Sequence, residues 1–148
     1  MRDVRGDVVR RQLMADHGLS VATVRSICGY LIHGKTPSSD VAPRVDDLFA
    51  DPIIEHGLTN TMLVTTESFA ATPDAVITVG FKPGVTDNPG KAATDGFLTL
   101  FPNDHDARIA TYLTYVFYGL PPDCDVNWLA GTLHNNLIER ALIADRSE

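Results

Sequence analysis

The sequence predicts an α+β protein of two tandem βαββαβ modules, the first lacking its first strand. Three observations carry this reading. The chain repeats itself at an offset of 84 to 85 residues. Its apolar residues alternate in some segments and fall at helical spacing in others, as strands and helices require. Clusters of Gly, Pro, Asn and Asp separate those segments. The repeat is seen in four matches in the same order: "DVRGD" (3–7) with "DNPGK" (87–91), which sets Gly6 over Gly90; "YLIHG" (30–34) with "YVFYG" (115–119), which sets Gly34 over Gly119; "DV" at 40–41 with "DV" at 125–126; and "IIE" (53–55) with "LIE" (137–139).

The second half gives the clearer element order. "AVITVGF" (75–81) alternates and is rich in β-branched residues, which predicts a strand. "PGKAATDGFLTLF" (89–101) sets Ala93, Phe97, Leu98 and Phe101 at helical spacing, and Pro89 suits a first turn, where its missing N–H costs nothing. "PNDHD" (102–106) is a turn. "ARIATYLTYVFYG" (107–119) is long enough for two strands or one bent one. Asp123 and Asp125 are candidate N-caps for a helix within 123–136, with an apolar stripe at Val126, Leu129, Ala130 and Leu133. "LIERALIA" (137–144) closes as a strand. This order describes a ferredoxin-like module, in which two helices cover one face of a four-stranded antiparallel sheet. The first half supplies a helix (4–17), a strand pair (21–34), a helix (40–51) and a last strand (about 56–65). It has no first strand. That strand is central in such a sheet, so either another segment fills the gap or the module begins upstream. The modules span 1–66 and 75–148, with 67–74 as the linker.

At 148 residues the chain is long enough to bury a sizeable core, roughly 68–70% of its unfolded surface if it packs as one unit. Its 44% hydrophobic and 21% charged content are those of a soluble globular protein. No apolar run approaches the ~20 residues of a membrane span, and "MRDVRGDVVRRQ" has no signal-peptide core. Cys28 and Cys124 are far apart and read as reduced thiols, which predicts a cytoplasmic protein. The net charge of −7 argues against nucleic-acid binding. The short basic cluster of Arg2, Arg5, Arg10 and Arg11 is diluted by Asp3, Asp7 and Asp16 and reads as a solvated helix face.

"VITVGFKPGVTDNPGKAAT" (76–94) raises the question of a phosphate cradle. A P-loop needs G-x-x-x-x-G-K-[ST]. Here five residues separate Gly84 from Gly90, and Ala92 stands in the hydroxyl position. The dinucleotide pattern G-x-G-x-x-G fails too. Helix N–H groups with Lys82 and Lys91 nearby would attract an anion, but a plain strand-to-helix turn is the expectation. His17, His33, His56, His105 and His134 show no ligand spacing, and "NDHDAR" (103–108) is explained as a turn, so no metal is expected. Ser26 and Cys28 lie on a predicted strand without a base, and no carboxylate pair is placed for acid–base work. Trp128 reads as a core or interface anchor. No catalytic residue and no cofactor is expected.

The segment "FKPGVTDNPGKAA" (81–93) resembles the "LKPGVLDPQGKA" loop of the PurS family, the small subunit of phosphoribosylformylglycinamidine synthase. "LFADPIIE" (48–55) resembles that family's "LLANPVIE", and residues 3–32 resemble the helix and strand pair that follow the loop. The first copy keeps Gly6 without a "KPG" before it, and the second has "HNNLIE" where the family tends to Asn/Asp-Pro. The resemblance implies a non-catalytic scaffold within an ATP- and glutamine-dependent ligase of purine biosynthesis, bridging the glutaminase and the large ATP-binding subunit. It implies pairing of such modules, within the chain or between chains. It would set the partner-contact loop at Lys82, Pro83, Gly84, Asp87 and Gly90. The alternative is an ACT-like regulatory module that binds a small molecule; such modules share the element order and bind small amino acids near a "PGV" loop, for which "KPGV" (82–85) is suited. "TDNPGKA" and "ADPIIE" resemble the PurS family more.

Overall fold

The computed structural model describes residues 3–49 and 71–144. The described chain is α+β. In order it forms α1 (Val4–His17), β1 (Thr23–His33), α2 (Ser38–Val41), a 3-10 turn (Ala42–Arg44), α3 (Val45–Phe49), β2 (Ala75–Phe81), α4 (Asn88–Leu100), β3 (Arg108–Tyr118), α5 (Val126–Thr132) and β4 (Glu139–Ile143). The strands make one four-stranded antiparallel sheet of order β1-β3-β2-β4, so the sheet draws on both halves of the chain.

The helix at 88–100 and the strand at 75–81 lie, within a residue, where the apolar pattern predicts them, and the helix at 4–17 lies where the repeat predicts it. Residues 107–119 resolve to a single strand, because "RIATYLTYVFY" contains no Gly, Pro, Asn or Asp to turn on. The strand pair expected at 21–34 is likewise one strand, and Gly29 within it is not a turn residue. A Cβ at Gly29 would lie 2.0 Å from Cε2 of Tyr112, so the glycine admits an aromatic ring over the backbone. The helix expected at 40–51 is broken instead into α2, the 3-10 turn and α3. Pro43 lacks the N–H that a continuous helix would need there. The last strand expected near 56–65 lies outside the described residues.

Both long helices start with the same device. Asp3 caps α1: its Oδ1 accepts from Gly6 N (2.8 Å) and Ser26 Oγ (2.8 Å), and its Oδ2 accepts from Ser26 N. Asp87 caps α4: its Oδ1 accepts from Gly90 N (2.8 Å) and Thr111 Oγ1 (2.8 Å), and its Oδ2 accepts from Thr111 N (2.6 Å). Each carboxylate therefore satisfies orphan helix donors and fastens the helix to a strand. The approach is close. A Cβ on Gly6 would lie 2.1 Å from the Val24 carbonyl oxygen, and one on Gly90 2.5 Å from that of Ile109.

The described residues fall into two compact units, one of 3–29, 71–85 and 112–144, the other of 30–49 and 86–111. In the first unit β2 pairs antiparallel with β3 (Ala75 opposite Phe117, Gly80 opposite Tyr112) and with β4 (Ile77 opposite Ile143, Phe81 opposite Glu139). Its core joins Leu13 of α1, Ile77 and Val79 of β2, Phe117 of β3 and Leu129 of α5. Val76, Thr114 and Val116 on the opposite sheet face are also buried, so neither face of the central strands meets solvent there. The two hydroxyls of the Thr78–Thr114 cross-strand pair bond each other at 2.9 Å, satisfying the buried one. The second unit packs Phe97 of α4 against Val41, Ala107 and Ile109, with Tyr30, Ile32 and Phe101 partly buried around them.

Candidate functional site

The five loop residues that the sequence singles out fall into two groups. Lys82, Pro83 and Gly84 belong to the first unit and form a tight turn after β2, closed by Val85 N donating to Lys82 O at 3.1 Å. Gly84 has φ +85, close to the ~80° of the third position of a type II turn, where proline is also favoured at the second. Lys82, Pro83 and Gly84 are exposed. Lys82 is nevertheless fixed: its backbone N–H donates to Ile138 O at 2.9 Å, and its Nζ donates to the Asn136 carbonyl.

That carbonyl belongs to a stitched turn before β4. Asn135 N donates to Glu139 Oε1 at 2.9 Å, Leu137 N to Asn135 Oδ1 at 3.0 Å, and Ile138 N to Asn135 O at 3.1 Å. Leu137 at its tip is 81% exposed, and Ile138 is 41% exposed. The Pro-Gly turn and this apolar tip are thus held together by Lys82.

Asp87 and Gly90 belong to the second unit and are joined by the α4 cap. Gly90 is buried and Asp87 half-buried. The cap answers the phosphate question. The Asp87 carboxylate already takes the Gly90 N–H and sets a negative charge at the positive end of the helix, which leaves little attraction for a second anion. The loop is the strand-to-helix turn that its sequence predicts.

The other candidates take structural roles. Ser26 anchors Asp3. Cys28 is exposed and free, and its Sγ accepts from Arg5 Nη1 at 3.0 Å; this bond above all raises the Arg5 pKa. His134 contacts the Ala130 carbonyl, and His17 meets the edge of Trp128 at 5.1 Å and 86°. Trp128 is 43% exposed, so it is not a core residue. Among the described residues no group of three His, Cys, Asp or Glu is placed to hold a metal ion. Sequence reasoning missed Asp104. Its Oδ2 accepts from Lys35 N and Thr36 N (2.8 Å each) and from Thr36 Oγ1 (2.7 Å), while its buried Oδ1 has no partner. These bonds, the Thr36 hydroxyl first, hold its pKa below the usual carboxylate value. It also missed both caps, although the D-x-x-G spacing shared by 3–6 and 87–90 was the signal for them.

No protein-family model matches the chain, and no curated protein is significantly similar to it.

Proposed function

We propose that the chain is a non-catalytic bridging part of a phosphoribosylformylglycinamidine synthase, built of two PurS-like ferredoxin-like modules at 1–66 and 75–148, the first without its first strand. The observation that carries the proposal is the recurrence of one helix cap, atom for atom, at the two places where the sequence resembles the PurS loop and the segment after it. Asp87 lies 84 residues beyond Asp3, Gly90 84 beyond Gly6, and Thr111 85 beyond Ser26. A duplication accounts for this economically: the same carboxylate, glycine and strand hydroxyl solve the same helix start twice. Pairing of β1 with β3 supports an internal association of the two copies.

In this reading the exposed turn at Lys82, Pro83 and Gly84, and the cap at Asp87 and Gly90, meet the large ATP-binding subunit, and the module couples it to the glutaminase. The chain works in the cytoplasm and supplies neither nucleotide nor metal chemistry. No helix among the described residues is long and apolar enough to cross a membrane. The test is reconstitution of amidine formation from a matching large subunit and glutaminase, with and without the chain, using glutamine and then ammonium as nitrogen donor. Restoration of the glutamine-dependent rate alone supports bridging. If neither rate changes and no complex forms, the assignment falls.

A further inference from the structure

Helix α1 carries apolar side chains on two faces. Val9 and Leu13 pack into the core of the first unit. Val4, Val8, Arg11 and Ala15 lie at i, i+4, i+7 and i+11, which sets them in one stripe on the opposite face. All four are exposed. Val4 is 64% exposed and Val8 38%, with Met14 beside the stripe at 56%. Scattered apolar residues are ordinary on a protein surface, whereas an aligned apolar stripe on a helix calls for a cover.

The chain supplies its own comparison. Helix α4 begins with the same cap 84 residues later, and its outward stripe at that offset is Asn88, Ala92, Asp95 and Thr99, all exposed. The same helix start and the same kind of packing therefore do not require valines outside. Valine is also a poorer helix former than alanine, so Val4 and Val8 gain nothing from helicity. Charge separates α1 from the rest of the molecule as well. It holds Arg5, Arg10 and Arg11 against Asp7 and Asp16, in a chain of net charge −7. Two such chains repel one another over most of their surface. On α1 both signs are present, and there two copies can meet.

We propose that the outward stripe of α1 packs antiparallel on the same stripe of a second copy of this chain, about a twofold axis. Such a contact is self-complementary, each patch meeting its own copy. With the axis level with residues 9 and 10, Val4 faces the partner's Ala15, and Val8 faces the aliphatic stem of the partner's Arg11, which covers it. Asp7, one turn before Arg11 on the flank of the stripe, then stands opposite the partner's Arg11, and symmetry makes this ion pair twice. Within one chain Arg11 Nε donates to the Asp7 backbone carbonyl at 3.3 Å, so the guanidinium already lies toward that flank. The 14 residues of α1 span about 21 Å. One helix on each side is a small interface, so the dimer is reversible and concentration-dependent. It lies on the outer face of α1, apart from the pairing of β1 with β3, and it does not rest on the bridging role.

Sedimentation equilibrium of the full chain under reducing conditions, across the micromolar range, tests this. The mass should rise with concentration from 16.1 kDa toward twice that value. Val8→Glu, at an exposed position, should raise the dissociation constant at least about tenfold, the scale of one valine kept from burial. Ala92→Glu, its counterpart on α4, should leave the constant unchanged. Asp7→Lys and Arg11→Glu should each weaken the dimer, because each sets like charges opposite one another twice. Mixed in equal amounts, those two variants should pair again, since each helix then meets opposite charges at both places. Circular dichroism of every variant should match the parent. A monomer at all concentrations overturns the proposal. So does a dimer indifferent to Val8→Glu, or one weakened equally by Ala92→Glu, or a mixture that stays monomeric where the parent pairs. Amidine formation is a separate readout, so none of these outcomes bears on the bridging function.

Discussion

At the scale of single residues, the chain is held by carboxylates that each accept several short bonds. Asp3 and Asp87 do so with equivalent partners, a glycine N–H and the N–H and hydroxyl of a strand Ser or Thr, so Asp3→Ala and Asp87→Ala should destabilise to a similar degree, each by about 2 kcal/mol from a lost cap and stranded strand donors. Chemical denaturation measures both. Gly6 and Gly90 are stricter. Their missing side chains make room for the carbonyls of Val24 and Ile109, and an added Cβ would press on backbone, which cannot swing away. Gly90→Ala should therefore cost more than the ~1 kcal/mol typical of point substitutions, although alanine is the better helix former. Asp104 makes stability depend on pH. Its folded pKa lies below the unfolded value of 3.8, so its charge contributes fully above that value. The contribution then fades as pH falls through the folded value. The melting-temperature gap between the parent and Asp104→Asn should hold from neutral pH down to about 5 and close as the carboxylate protonates, the ordinary pKa being about 3.9.

At the scale of elements, what was legible was whatever the apolar period and local chemistry decide together. The stripe Ala93, Phe97, Leu98 and Phe101 marks α4, and Phe97 is fully buried as its place in the stripe requires. Pro89 in the first turn of α4 and Asp125 as the cap of α5 are where the sequence puts them. The strand count failed where a residue owed its identity to a neighbour in space. Gly29 looks like a break in β1 and serves instead to seat Tyr112. Asp104 was unreadable for the same reason, because its donors, Lys35 and Thr36, stand almost 70 residues earlier. In the candidate loop, the turn at 82–85 was legible from Pro-Gly alone. The grip of Lys82 on the Asn136 carbonyl was not, since no local rule links the ends of β2 and β4. Gly84 has open space where a Cβ would go, so Gly84→Ala meets only backbone strain, costing about 1–2 kcal/mol. It should lower the melting temperature and leave α4 intact by circular dichroism.

At the scale of the whole molecule, the two packed units each have a core with a fully buried residue as its probe. Leu129→Ala in the first and Phe97→Ala in the second should each cost about 3 kcal/mol or more, by lost burial and the cavity left behind. Loss of cooperativity in either melting curve would show that the substituted core no longer closes. The surface is acidic overall, with a pI near 5.0 and a net charge of −7. Its two thiols are not equivalent. Cys28 on β1 is open to solvent, while Cys124 is half-buried and its thiol is pushed up by burial and by the carboxylates of Asp123 and Asp125. A maleimide offered near neutral pH should accordingly enter at Cys28 first. The native chain thus carries its own attachment point for a spin label or a biotin, and the protein could be immobilised or mapped by distance measurements without engineering a cysteine into it.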